Sequence, residues 1–261
     1  MAQLPSNVEP FADSDVTPAV RGFLHRPAEA SGAGVVLTHS AGSNCEAPLL
    51  VAVAEAFARA GYTVLRCDLP FRQRRPHGPP LPGSAAEDRE GLRRALGTLK
   101  TLVPGRLFLG GHSYGGRQAT MLASADAALT DGLLAFSYPL HPPRSASQLR
   151  TNHFPKLRTP TLFVHGSRDP FGSPQEMEAA LKLIPAETSL IIIEGATHDL
   201  APGKQNPFTQ TDLAGSILTA FTRLFHEVSQ HGLWGATRDE MQSSSRGHEC
   251  GTDIRDHTES K

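Results

Sequence analysis

Long apolar runs are missing from this chain. No stretch could span a bilayer, and the opening "MAQLPSNVEPFADSDVTPAV" has neither the basic nor the apolar region of a secretory leader. A cytoplasmic protein with no membrane partner is expected. Cysteine is scarce too. Cys45, Cys67 and Cys250 are an odd, widely spaced set without a C-x-x-C pair, which excludes a disulfide framework or a zinc knuckle and leaves free thiols as the expected state. Charge of either sign is not in excess: 25 Lys and Arg against 26 Asp and Glu leave a formal net charge of -1, so nothing global draws the protein to nucleic acid. Internal repeats, a G-x-x-x-x-G-K-[ST] phosphate loop and a dinucleotide fingerprint are all absent, and no metal or organic cofactor is implied.

What is present is a rhythm. Short β-branched or Leu-rich runs recur, each followed by a Gly, Pro or Ser cluster and then a longer segment of helical period. Strands are expected at 19–26, 34–39, 63–68, 106–111, 132–138, 160–165 and 189–194. Helices are expected at 47–60 with Ala52, Ala56 and Ala60 on one face, 84–102 opening on Ser84 and Glu87 as a capping box, 115–125, 173–184 and 210–229. That alternation implies an α/β fold, a mostly parallel, doubly wound sheet flanked by helices. Residues 16–229 form the domain. Residues 1–15 read as a flexible extension and 230–261 as a disordered tail, because the tail has few apolar residues and no period; Trp234 could dock it on the body. Only about twenty residues, 139–159, interrupt the rhythm, too few for a lid of several helices.

Within this frame "LFLGGHSYGGRQA" puts Ser113 between glycines, at the end of an expected strand and just before an expected helix. A strand–turn–helix setting is what a nucleophile elbow requires: Gly111 and Gly115 remove side chains where strand and helix crowd, leaving the hydroxyl exposed. A serine needs a base and the base an orienting acid. Asp169 follows strand 160–165 in "HGSRDPFGS" and His198 follows strand 189–194 in "GATHDL", so all three leave the carboxyl edge of the sheet, where α/β proteins bind ligands. Asp68 and Asp199 are competing acids. Each residue also has a plainer reading, Asp169 as a turn former before Pro170 and His198 as a packing histidine.

An oxyanion hole would take the N–H of Tyr114 and a second N–H, from Ser40 or Ala41, in "THSAGSNCEAP"; the same residues also suit a simple turn. Cys45 in this loop reads as a small buried residue rather than a second nucleophile. In "DLPFRQRRPHGPPLPG", Arg72, Arg74 and Arg75 with His77 either select an acidic substrate or form a solvated basic loop. Tyr138, with His141 and Arg144 nearby, is a candidate pocket wall.

The motifs "THSAGSN", "CDLPFRQRRPHGPP", "GGHSYGGRQA", "FSYPLHPP", "HGSRDPFG" and "GATHDL" together resemble the α/β-hydrolase superfamily over residues 16 to 225. More narrowly, they are similar to a small dienelactone-hydrolase-like branch whose relatives include vertebrate testis-expressed and histone-acetyltransferase-complex subunit homologues. The resemblance implies Ser113 as nucleophile, Asp169 as acid and His198 as base, in an enzyme acting on a small acyl substrate. It does not imply dienelactone hydrolysis, because dienelactone hydrolases proper carry cysteine where this chain has Ser113. Ser40 likewise stands where a His-Gly pair is common in the superfamily. The competing expectation is a catalytically idle scaffold serving as a complex subunit.

Overall fold

Five short runs, Gly34–Thr38, Thr63–Cys67, Leu107–His112, Gly132–Phe136 and Thr161–Gly166, are buried at every position, which is the signature of parallel strands covered on both faces. The computed structural model describes residues 7–201 and 209–230. In chain order the elements are β1 (Asn7–Asp13), β2 (Val20–Arg26), β3 (Gly34–Thr38), α1 (Pro48–Arg59), β4 (Thr63–Cys67), α2 (Pro70–Arg74), α3 (Ser84–Leu102), β5 (Leu107–His112), α4 (Tyr114–Ala125), β6 (Gly132–Phe136), β7 (Thr161–Gly166), α5 (Pro174–Leu181), β8 (Thr188–Ile193) and α6 (Gln210–Gln230). The eight strands make one sheet in the order β1-β2-β4-β3-β5-β6-β7-β8, with the β1–β2 and β2–β4 pairs antiparallel and the other pairs parallel. Strand order reverses at β3 and β5, whose carboxyl ends therefore open a crevice.

Alternation along each strand divides the core. Val36, Leu65 and Leu109 face α3, α4 and α5, meeting Leu92, Leu96, Leu99, Leu122 and Met177. Val35, Leu37, Phe108 and Phe136 face α1 and α6, meeting Leu50, Val53, Phe57, Ile217, Phe221 and Phe225. On this second face Phe108, Phe221 and Phe225 stack at centroid separations of 4.8, 5.0 and 4.6 Å. Each such ring, fully buried, stabilises the fold by about 2–3 kcal/mol.

Four sequence expectations need correction. Residues 7–13 are not part of a flexible extension: they pair with β2 over seven residues. Their alternation is faint because β1 is an edge strand, where Pro10 can stand and only Phe11 packs on the core. The second concerns α3, which is preceded by left-handed Gly83. Ser84 is its first residue and makes no capping box, and Glu87 pairs instead with Arg74. The box lies in α5, between Ser173 and Glu176. In α1 the buried stripe runs through Leu50, Val53, Ala54 and Phe57, while Ala60 is exposed. Finally, the Pro-rich stretch after β4 holds the short helix α2, which starts on Pro70. Between β6 and β7 there is a single 3-10 turn at Phe154–Lys156. The tail from residue 231, with Trp234 and Cys250, lies outside the described residues.

Candidate active site

Ser113 sits between β5 and α4 with φ 52° and ψ −112°, a conformation that costs a non-glycine residue about 1–3 kcal/mol. Its neighbours explain why the chain can turn so sharply. A Cβ on Gly111 would stand 2.6 Å from the carbonyl carbon of Gly115 and from the nitrogen of Gly116, and one on Gly115 would stand 2.6 Å from the carbonyl oxygen of His39. These glycines let strand, helix and the loop after β3 meet at one point. The hydroxyl of Ser113 lies 2.7 Å from His198 Nε2, and His198 Nδ1 lies 2.8 Å from Asp169 Oδ2. A carboxylate only accepts, so Nδ1 carries the proton and Nε2 offers its lone pair to the Ser113 hydroxyl.

Asp169 is buried and held from the other side, its Oδ1 accepting from the amide of Phe171 at 2.8 Å. The loops after β7 and β8 interlock. Arg168 N donates to Ala196 O at 2.9 Å, Gly195 N to Ser167 Oγ at 2.8 Å, and a Cβ on Gly166 would meet Ala196 O at 2.4 Å. The Phe171 ring backs the His198 ring at 4.2 Å. The competing acids are placed elsewhere: Asp199 is exposed, and Asp68 accepts from Cys45 N at 2.7 Å.

Three buried histidines support this group, and sequence reasoning assigned none of them a role. His112 Nε2 donates to the His198 carbonyl at 2.8 Å, which fixes its tautomer; burial lowers its pKa and keeps it neutral. His165 Nε2 donates to Gly172 O at 2.7 Å, bracing the turn that carries Asp169. His39 Nδ1 donates to Ser40 O at 2.8 Å while its Nε2 accepts from Leu69 N at 3.0 Å. Burial pushes its pKa down to about 4, so it stays neutral. The one available signal was position, since His39 and His112 each end a strand of the crevice.

The expected oxyanion donors are the N–H groups of Tyr114 and of Ser40 or Ala41. Tyr114 opens α4, so its N–H has no acceptor within the helix and shares the positive end of the helix dipole. Ser40 and Ala41 follow directly on His39, whose carbonyl is in close approach to Gly115. A turn closes this loop, with Ser43 N on Ser40 O at 3.3 Å and the two hydroxyls 3.0 Å apart. Cys45 behind it is buried, and burial pushes its thiol up to about 12, which leaves it protonated and inert.

The arginine rim is not brought together as a substrate contact. Arg72 is 5% exposed and points inward, donating to Ser43 O at 2.8 Å, Ala41 O at 2.9 Å, Gly78 O at 2.9 Å and Arg75 O at 3.0 Å. It braces the Ser40–Ala41 loop from behind. Arg74 pairs with Glu87, and Arg75 is exposed in solvent. The segment expected to be a solvated loop is in part the helix α2, in which Arg72 is buried. Tyr138 is also no pocket wall. It is fully buried, its hydroxyl donates to Arg150 O at 2.6 Å, and its ring packs on Phe154 and Phe163. His141 is buried with Nε2 3.6 Å from Glu176, and Arg144 is exposed.

Among the described residues, no group of three or more His, Cys, Asp or Glu side chains could hold a metal ion, and no helix is long and apolar enough to cross a membrane. The chain is similar in fold to several solved structures. A dienelactone hydrolase from Anabaena variabilis matches at 22% identity and TM-score 0.66, covering 86% of this chain and 99% of that one. Est1E from Butyrivibrio proteoclasticus matches at 16% and 0.63 over 85% and 100%. An α/β serine hydrolase without lid from Xanthomonas campestris matches at 16% and 0.61 over 88% and 97%. Residues 31–226 match the family model described as "Alpha/beta hydrolase domain", and the strained elbow at the switch of a mostly parallel sheet agrees with it: the chain belongs to the α/β-hydrolase domain family.

Proposed function

We propose that the protein is a serine hydrolase that cleaves an ester or related acyl bond, with Ser113 as nucleophile, His198 as general base and Asp169 as its orienting acid. The observation that carries this reading is the unbroken relay from Asp169 Oδ2 through His198 to Ser113 Oγ, at 2.8 and 2.7 Å, ending on a strained elbow. Ser113 Oγ attacks the acyl carbon as His198 Nε2 takes its proton. The carbonyl oxygen becomes an oxyanion held by the N–H groups of Tyr114 and of Ser40 or Ala41. The intermediate then collapses, and His198 returns the proton to the leaving group. Water, deprotonated by the same histidine, attacks the acyl-enzyme, releasing the acid and restoring Ser113.

The structural neighbours named as a dienelactone hydrolase and a serine hydrolase support the class of chemistry, and the sequence motifs support the dienelactone-hydrolase-like branch. The substrate is a small acyl compound met in the cytoplasm. The test is labelling by a fluorophosphonate probe, in which Ser113 Oγ displaces fluoride to form a phosphonate ester. Labelling of the parent and not of Ser113→Ala, together with loss of p-nitrophenyl acetate hydrolysis by at least roughly 1,000-fold in a variant with unchanged circular dichroism, is expected. A parent chain that neither labels nor hydrolyses esters overturns the reading in favour of an idle scaffold.

A further inference from the structure

One turn along α4 from Ser113, a cleft of about 420 Å³ opens between that helix and the segment leading to β7. Three cations line it: Arg117 from α4, and Arg150 and Lys156 from the other wall. None of its nine lining residues is acidic. Some arginines elsewhere pair with carboxylates, Arg26 with Glu9, Arg74 with Glu87, and Arg93 with Asp126. Among the described residues, Arg117, Arg150 and Lys156 make no ion pair with a carboxylate. Arg117 Nε is buried without a hydrogen-bond partner, and Arg150 spends one Nη on Pro139 O at 3.3 Å.

Like charges gathered this closely repel one another. The Arg150 guanidinium is held below its ordinary pKa by burial and then by the charge of Arg117. His153, on the same wall, adds no charge: burial, then Arg117, pushes its pKa down to about 4, and its Nε2 contacts Thr120 Oγ1 at 2.9 Å. Three fixed positive charges thus face one cleft, and no carboxylate among the described residues pairs with them.

We propose that this cleft binds a phosphate-bearing small organic molecule, its dianionic head on Arg117, Arg150 and Lys156. Two guanidinium forks suit the paired oxygens of a phosphate, and a dianion offsets more of the charge than a carboxylate does. The volume exceeds what a bare phosphate fills and lies in the range of small-ligand sites. Met121 and Leu149, the latter a large apolar side chain 48% exposed, give the ligand's body a wall to lie on. The site does not depend on the hydrolase reading, because none of these groups belongs to the Ser113 relay.

The test is isothermal titration calorimetry of the full chain with phenyl phosphate, inorganic phosphate and benzoate. Phenyl phosphate should bind saturably, at least about tenfold tighter than either of the others, and more weakly as sodium chloride is added. The exposed change Lys156→Gln should weaken it, and Lys156→Gln with Arg150→Gln should weaken it by at least about tenfold. Arg75→Gln, an exposed cation elsewhere, and Ser113→Ala should bind as the parent does. No saturable binding at millimolar phenyl phosphate, equal affinity for inorganic phosphate, or affinity indifferent to Lys156→Gln would each overturn the proposal.

Discussion

His112 donates from Nε2 to the main-chain carbonyl of His198 across 2.8 Å, so the residue preceding the elbow serine holds the loop that carries the proposed base. The two imidazoles are 5.5 Å apart, and His112 touches no reacting atom. It is a positioning residue. Removing its donor frees the His198 loop and leaves a partly buried carbonyl without its partner, which costs about 1–3 kcal/mol. His112→Phe should lower kcat for p-nitrophenyl acetate by roughly 10–100-fold with KM little changed. His112→Gln, whose amide can donate to the same carbonyl, should recover part of the loss. Equal kcat in parent and His112→Phe would show that the loop holds itself.

Asp169 and Asp199 flank the same histidine, but only Asp169 receives its Nδ1 proton. An amide at 169 could donate to Nδ1 and drive the proton onto Nε2, facing Ser113 in the wrong tautomer. Asp169→Asn should therefore cut kcat by roughly 1,000–10,000-fold, and Asp199→Asn less than about threefold. A larger loss from the Asp199 change would identify the wrong acid.

Burial gives the fold an acid-sensitive stability. His25, His39 and His153 have pKa values lowered from 6.5 to about 4, each chiefly by desolvation. Below pH 6.5 the unfolded chain takes up protons that the folded chain refuses until about pH 4, so stability is fully present above 6.5 and is lost as pH falls through that window. The thermal midpoint should be level from pH 8 to 7 and fall steadily from 6.5 to 4. A level midpoint down to pH 4 would mean that these histidines are protonated in the native state.

How much of this could be read from the chain depends on the range of the interaction. Strands buried on both faces announce themselves as apolar runs, which is why β3 to β7 are legible to within a residue or two. Ser113, Asp169 and His198 are legible because each ends or follows such a run, and the topology puts every carboxyl end at one edge. β1 is not, because an edge strand has one partner and a weak alternation. The burial of Tyr138 is not legible, because residue type alone does not reveal which side of a loop faces the core. The roles of His39, His112 and His165 rest on backbone carbonyls or amides distant in sequence or across a turn, and no local pattern encodes such a partner.

Arg72 is where sequence and structure diverge most, and they predict opposite kinetics. An arginine on a solvated rim would act on an anionic substrate through KM, and salt would mimic its removal. The observed side chain is buried on four carbonyls, two of them Ala41 and Ser43 in the loop proposed to supply an oxyanion donor. Its loss should let that loop drift from the place where negative charge develops, an effect felt in the transition state more than in substrate binding. Arg72→Gln should lower kcat by up to roughly 100-fold, equally for a neutral ester and its carboxylate-bearing analogue, and destabilise the fold by about 2–3 kcal/mol. Arg72→Lys should not restore the rate, because a single ammonium cannot span acceptors on both sides of a planar fork. Salt should have little effect on the parent enzyme, since buried contacts are poorly screened. A KM that rises for the carboxylate ester alone would return Arg72 to the substrate and remove it from the oxyanion loop.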